Sequence, residues 1–159
     1  MEEILKILEQ DARTSPEQIA TMLGRSVDEV NEAIKQAEES RTIVKYKTMV
    51  NWEKTGKEEV HALIEVTVQP QREVGFDAIA ERIYRFPEAK SVYLISGTYD
   101  LAVLVVARTM QEVANFVSQK LSTLDSVQGT VTHFLLKRYK EDGEILEDGE
   151  GPKREPLTL

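Results

Sequence analysis

The chain contains no cysteine, which excludes disulfide frameworks, thiolate zinc sites and cysteine nucleophiles. It has only two histidines, His61 and His133, too few for a histidine-rich metal site. Neither stands in a motif with a nucleophile and an acid, so a Ser-His-Asp triad is not expected. No apolar run approaches the roughly 20 residues needed to span a bilayer. The start, Met1 to Lys6, lacks a basic region followed by a long apolar stretch, the mark of a secretory leader. Together these absences predict a cytoplasmic protein with no membrane partner, no metal, no cofactor and no enzymatic activity.

What is present is charge, and it is unevenly spread. The net charge of -8 argues at first against a nucleic-acid partner. Residues 1–56 hold 8 Lys/Arg against 11 Asp/Glu, residues 57–140 hold 10 of each, and residues 141–159 hold 2 against 7. Most of the acidity therefore belongs to the last segment. Any DNA binding must come from local patches, not from the field of the whole domain.

Three short helices open the chain. Ile4, Ile7 and Leu8 recur at helical spacing between Glu2 and Gln10, with acidic residues in the first turn. Ser15, Pro16 and Gln18 form a capping box with proline at the first helical position, and Gly24 is placed to end that helix. Ser26 and Glu29 make a second capping box, followed by Val30, Ala33, Ile34 and Ala37 on one face. Helix, turn at Gly24-Arg25-Ser26, helix is the helix-turn-helix arrangement. Thr42 to Asn51 reads as a strand or pair of strands forming a wing, with Lys45 and Lys47 pointing off it.

A polar stretch with Gly56 marks a connector over 51–59. Beyond it the period changes to two: Val60, Ala62, Ile64, Val66 and Val68 alternate with more polar positions, as in a half-buried strand. Gln69 to Gly75 reads as a loop, Phe76 to Ile83 as a helix, and Val92 to Val106 as a hairpin about Ser96, Gly97, Thr98, Tyr99 and Asp100. Met110 to Leu121 is expected to be helical and Val127 to Tyr139 a final strand. The β-α-β unit thus occurs twice, the ferredoxin-like βαββαβ topology. Its helix-free face would be wet and apolar in a monomer, which predicts dimerisation through the sheet. The fold class is α+β: a helix-turn-helix (winged-helix-like) domain over 1–50, the connector 51–59, a βαββαβ domain over 60–140, and an acidic, solvated tail over 141–159.

Two clusters could carry function. At the hairpin tip Gly97 permits close approach, Asp100 offers a carboxylate to a ligand ammonium group, Ser96 and Thr98 offer hydroxyls, and Tyr99 could wall the site. The alternative is that Gly97 and Asp100 only shape a turn. On the third helix, Asn31 and Gln36 suit adenine edges, while Arg25 and Lys35 suit phosphate or guanine. The alternative is a solvated face, which Asp28, Glu29 and Glu32 favour, since carboxylates near phosphates oppose counterion release. Ordinary strand positions are expected for His61 and His133, core packing for Trp52, and a plain charged surface for Glu58 and Glu59.

The sequence resembles the Lrp/AsnC, or feast/famine, family of prokaryotic transcription factors. The likeness covers Met1 to Tyr139 and rests on Gly24-Arg25-Ser26 between capped helices, on Ile43-Val44-Lys45-Tyr46 leading to Thr55-Gly56, on Ser96-Gly97-Thr98-Tyr99-Asp100-Leu101, and on Gly129-Thr130-Val131-Thr132. It implies a DNA-binding domain followed by a ligand-sensing domain that dimerises through its sheets, with dimers assembling into octamers or other rings. It also implies a small effector, usually an amino acid, bound near the hairpin loops between dimers. By position, Gly97, Thr98, Tyr99 and Asp100 would line that site, and Ser26, Asn31 and Lys35 would face double-stranded DNA. Glu32 and Ala33 depart from the basic residues usual in the family's recognition helix, Ala37 from the usual leucine, and Arg41-Thr42 from the usual glycine. An assembly module that binds a metabolite and has weak or no DNA affinity is the open alternative.

Overall fold

The computed structural model describes residues 1–69 and 75–147. The chain divides into two compact units, Met1–Val50 and the part from Asn51 on.

In the first unit, α1 (Glu2–Gln10), α2 (Pro16–Leu23) and α3 (Val27–Glu39) pack Ile4, Leu8, Ile19, Ala20 and Val30 into one core. Both expected capping boxes form. Ser15 Oγ accepts the Gln18 amide at 3.3 Å and Gln18 Oε1 accepts the Ser15 amide at 2.9 Å. Likewise Ser26 Oγ accepts the Glu29 amide at 3.2 Å, and Glu29 Oε2 accepts the Ser26 amide at 2.9 Å. Each box satisfies two N–H groups that the turn before a helix would otherwise leave unpaired. Gly24, at φ 63°, takes the left-handed conformation that closes α2, so the chain can restart a helix within three residues.

The strand expected over Thr42 to Asn51 is absent: residues 44–50 are neither helix nor strand. The physical reason is the lack of a partner, since this unit has no second strand-like segment and an extended segment alone does not hold. Tyr46 turns back instead, its hydroxyl donating to Glu38 Oε1 at 2.9 Å.

The second unit follows the βαββαβ order: β1 (Val60–Val68), α4 (Asp77–Tyr84), β2 (Ala89–Leu94), β3 (Leu101–Ala107), α5 (Met110–Phe116) and β4 (Val127–Leu135). The strands form one antiparallel sheet in the order β2-β3-β1-β4. Ile64 lies between Val103 and Thr132, and Val66 between Leu101 and Thr130. That register sends Ala62, Ile64, Val66 and Val68 of β1 to the same face as Leu101, Val103 and Val105 of β3. There they meet Ile79 and Ile83 of α4 and Val113 and Phe116 of α5. Residues on the other face, Leu63, Leu104, Val106, Val131 and Leu135, take no part in that buried core, and Val131 is 52% exposed.

Several expectations shift in detail. The helix begun at Met110 passes into a π-helical turn over Val117–Leu121, and β4 ends at Leu135 rather than Tyr139. The acidic tail does not start as solvated chain. Lys140–Glu141 (β5) and Glu144–Ile145 (β6) form a hairpin, turning at Asp142 and Gly143 with φ 46° and 88°. Two successive positive φ values are what a type I′ turn needs, and Asp-Gly is a sequence that adopts them readily. The Leu146 amide donates to Tyr139 O at 3.0 Å, and Asn51 Nδ2 donates to Leu146 O at 2.9 Å. Arg138 joins Glu141 at 2.8 Å and Glu53 at 3.5 Å. The expected connector, which includes a 3-10 turn at Trp52–Thr55, is thus tied to the chain after β4. Trp52 is not packed into the core: it is 41% exposed, with Lys57 Nζ 4.4 Å from its ring centroid. Residues 70–74 of the expected loop and 148–159 of the expected tail lie outside the described residues. Among the described residues no helix is long and apolar enough to cross a membrane.

Candidate functional site

On α3 the burial of Val30 and Ala37 leaves Asp28, Glu29, Asn31, Glu32, Lys35, Gln36, Glu38 and Glu39 exposed. Five of these are carboxylates and one is a lysine, so the outer face is acidic. The residues expected to meet DNA are all exposed, yet several are engaged within the chain. Arg25 Nη2 donates to Glu3 Oε2 at 3.1 Å, Ser26 is spent on its cap, and Gln36 Nε2 donates to Glu32 Oε1 at 3.0 Å. Lys35 Nζ lies 4.0 Å from Glu39. Exposed pairs of this kind are worth roughly 0–1 kcal/mol, little enough for a polyanion to displace. Lys45 and Lys47 are exposed on the irregular segment after α3. Glu29 is committed to structure: the hydrogen bond from the Ser26 amide, then that from its hydroxyl, holds its carboxyl below the usual range.

The hairpin tip is built by the pairing of β2 with β3, which brings Leu94 opposite Leu101 and closes with the Ile95 amide on Asp100 O at 2.8 Å. Asp100 serves the fold directly. Its Oδ2 accepts the Val68 amide at 2.8 Å, and its own amide donates to Val66 O at 3.1 Å, so it clasps the hairpin to the end of β1. One oxygen of Asp100 is therefore engaged by β1, outside the turn itself. Gly97 is not in the left-handed region, and an added Cβ would meet Ile95 Cγ2 at 3.5 Å; nothing among the described residues requires glycine there. Ser96, Gly97 and Thr98 are exposed and Tyr99 is half-buried. The tip is an open loop with hydroxyls on it, and a ligand would need a second wall.

Both histidines lie on strands. His133 Nε2 sits 3.1 Å from Glu65 Oε1 on the open face of the sheet. The His61 ring is largely buried, with Nε2 3.7 Å from Glu59 and without a hydrogen bond. Burial first, and the Arg138 charge second, push its pKa down, so it is neutral at pH 7. Glu59 is not a plain surface charge, being paired with Lys57 at 2.7 Å.

The family models match both units. Residues 2–44 match a winged helix-turn-helix DNA-binding domain and residues 61–145 match the Lrp/AsnC ligand binding domain. The chain belongs to the Lrp/AsnC family. Its similarity to YugG of Bacillus subtilis, an HTH-type transcriptional regulator, is 52% identity over 96% of this chain and 92% of that one. Among solved structures of the same fold is the leucine response regulatory protein of Mycobacterium tuberculosis, with TM-score 0.75, 21% identity, and coverage of 91% of this chain and 96% of that one. A feast or famine regulatory protein of the same organism, complexed with L-methionine, gives TM-score 0.72 at 21% identity, covering 92% of this chain and 96% of that one. The helix-turn-helix and the four-stranded ferredoxin-like sheet are thus the family's two parts, and the chain is an effector-responsive DNA-binding regulator.

Proposed function

We propose that this Lrp/AsnC-family chain is a sequence-specific regulator of transcription whose assembly and DNA binding change when an amino acid docks at the hairpin tips of a dimer or ring. The observation that carries the reading is the pairing, in one chain, of a capped helix-turn-helix with an exposed α3 and a sheet unit with an uncovered apolar face. Asn31, Lys35 and Gln36 would meet base edges, and Arg25, Ser26, Lys45 and Lys47 the phosphates. Ser96, Gly97, Thr98, Tyr99 and Asp100 would hold the effector against a second dimer, which supplies the wall that the open loop lacks. The amino-acid class is supported by the L-methionine bound in a structural neighbour. The place of action is the cytoplasm, self-association runs to dimers and on to octamers or another ring, and no catalytic step is part of the role.

A ligand shifts an assembly only by binding one state more tightly than another. A mobility-shift titration on DNA upstream of the chain's own gene at low salt, with light scattering and each of the common amino acids, tests both halves. DNA binding and an amino-acid-dependent change in affinity or size are expected. Undetectable DNA binding defeats the regulator half, and indifference to every amino acid in affinity, size and melting defeats the sensor half. The five carboxylates of α3 favour a second reading, an assembly module with little DNA affinity, whose signature is a change of size without a mobility shift.

A further inference from the structure

A cavity of about 270 Å³ lies at the opposite end of β3 from the hairpin tip, lined by Val105, Val106 and Ala107, by Phe116 of α5, and by Glu88 and Lys120 at its rim. The two ends are seven residues apart along the strand, roughly 23 Å at the usual rise. We propose that this cavity is a second small-molecule site, which takes an apolar α-amino acid with its ammonium group on Glu88 and its carboxylate on Lys120.

Three observations carry this. First, Glu88 and Lys120 form an ion pair through Glu88 Oε1, while Glu88 Oε2 is buried and accepts no hydrogen bond. Burial raises the Glu88 pKa, but the Lys120 hydrogen bond and the residue's own backbone amide outweigh it and leave the carboxyl below its ordinary range. A buried, ionised carboxylate whose partners are only Lys120 and its own backbone amide is under-satisfied, and a ligand N–H₃⁺ is a group that adds the missing donors. Lys120 has three donors, so one can stay on Glu88 while another meets a ligand carboxylate. Second, β2 begins with Ala89 opposite Val105, so Val106 and Ala107 have no strand neighbour on that side and their backbone edge is open to a bound molecule. Third, Lys120 stands on the π-helical turn Val117–Leu121, a distortion that recurs at functional sites. Val105, Ala107 and Phe116 give the lining its apolar part, and Asn115, Gln119 and Glu112, whose charge is held by Arg108 at 2.6 Å, give it polar groups, which is the balance a small-ligand site needs.

The proposal does not require the hairpin tip to bind anything, and its test separates the two sites. The full-length protein, methyl-labelled at isoleucine, leucine and valine, is titrated with L-leucine up to about 10 mM, a range that covers weak ligands. The same titration is run with isopentylamine and with 4-methylpentanoate, which lack the carboxylate and the amine. Saturable shifts at the Val105 and Val106 methyls are expected with leucine, with each truncated analogue at least about tenfold weaker because one charge-assisted contact is lost. Glu88→Gln and Lys120→Met should each weaken the response by a similar factor at unchanged DNA affinity. Two variants are used so that a folding defect in one leaves the other informative. Shifts confined to Ile95 and Leu101 overturn the second site and leave the hairpin reading standing. Shifts at Val105 and Val106 alone support the second site and count against the hairpin. No shift anywhere, or equal binding of all three probes, overturns the proposal.

Discussion

Asp100 shows how one side chain can carry two readings that a pair of substitutions separates. As a clasp it needs only an acceptor for the Val68 amide, and asparagine supplies one; as an ammonium partner it needs its charge. Asp100→Ala should cost about 1–3 kcal/mol in denaturant unfolding, the penalty of leaving a half-buried N–H unpaired. Asp100→Asn should restore most of that, and an amino-acid response lost in Asp100→Asn but with stability kept would assign the charge to the effector. Arg41 is a second such residue. Its φ of 57° lies where an L side chain costs roughly 1–2 kcal/mol, partly offset in glycine by the freer unfolded chain. Arg41→Gly should therefore raise the stability of the first unit by up to about 1 kcal/mol; a loss of stability would refute the strain. His61 gives the pH dependence. Its folded pKa lies below the ordinary 6.5, so unfolding takes up a proton just below that pH, and the stability it contributes is present above it and lost as pH falls. Melting curves from about pH 7.5 to about pH 5 should show a steeper loss in the native chain than in His61→Gln.

At the scale of the element, the proposed DNA contact rests on α3, whose outer face is acidic. Each carboxylate on its outer face opposes the counterion release that gives most non-specific affinity. Glu32→Arg should tighten DNA binding and steepen its dependence on log salt by up to about two, and Lys35→Glu should do the reverse. If neither moves the salt slope, the phosphates are met elsewhere, and the segment with Arg41, Lys45 and Lys47 becomes the contact. The elements themselves were legible where local chemistry decides them. Two capping boxes and Gly24 placed α2 and α3, and the alternation from Val60 to Val68 placed β1 to the residue. Thr42 to Asn51 reads as a strand because its composition is right, but pairing depends on a neighbour that composition does not supply. The Asp142-Gly143 turn is a two-residue signal set in a strongly acidic segment, and that composition by itself points to solvated chain. The Asp100 clasp and the Glu88–Lys120 pair each join positions 32 apart in sequence, and no local pattern announces such a contact.

For the whole molecule the open face of the sheet is the feature the rest depends on. Tyr93, Leu104, Val106, Leu63, Val131 and Leu135 share it by register, with Tyr93 57% and Val131 52% exposed. A face of that composition is unfavourable in water, and a two-fold axis would bury it in both copies at once. The His133–Glu65 pair lies within it, so a dimer made there encloses two polar side chains that must stay matched, since leaving a buried polar group unpaired costs about 1–3 kcal/mol. Val131→Asp would put an unpaired carboxylate on the face, on its edge strand β4 opposite Glu65, in each protomer. Sedimentation or light scattering should then show the assembly broken toward monomer, with the dimer weakened by at least about a hundredfold. The monomer should keep its helical and sheet signals, because Val131 takes no part in the helix-side core. DNA binding should fall with it, as each monomer brings one α3 where the assembly brings several to neighbouring half-sites. If Val131→Asp leaves size unchanged while Tyr93→Asp or Leu104→Asp does the same, the chain associates by some other surface, and the hairpin tips would then not be brought to face one another by this sheet.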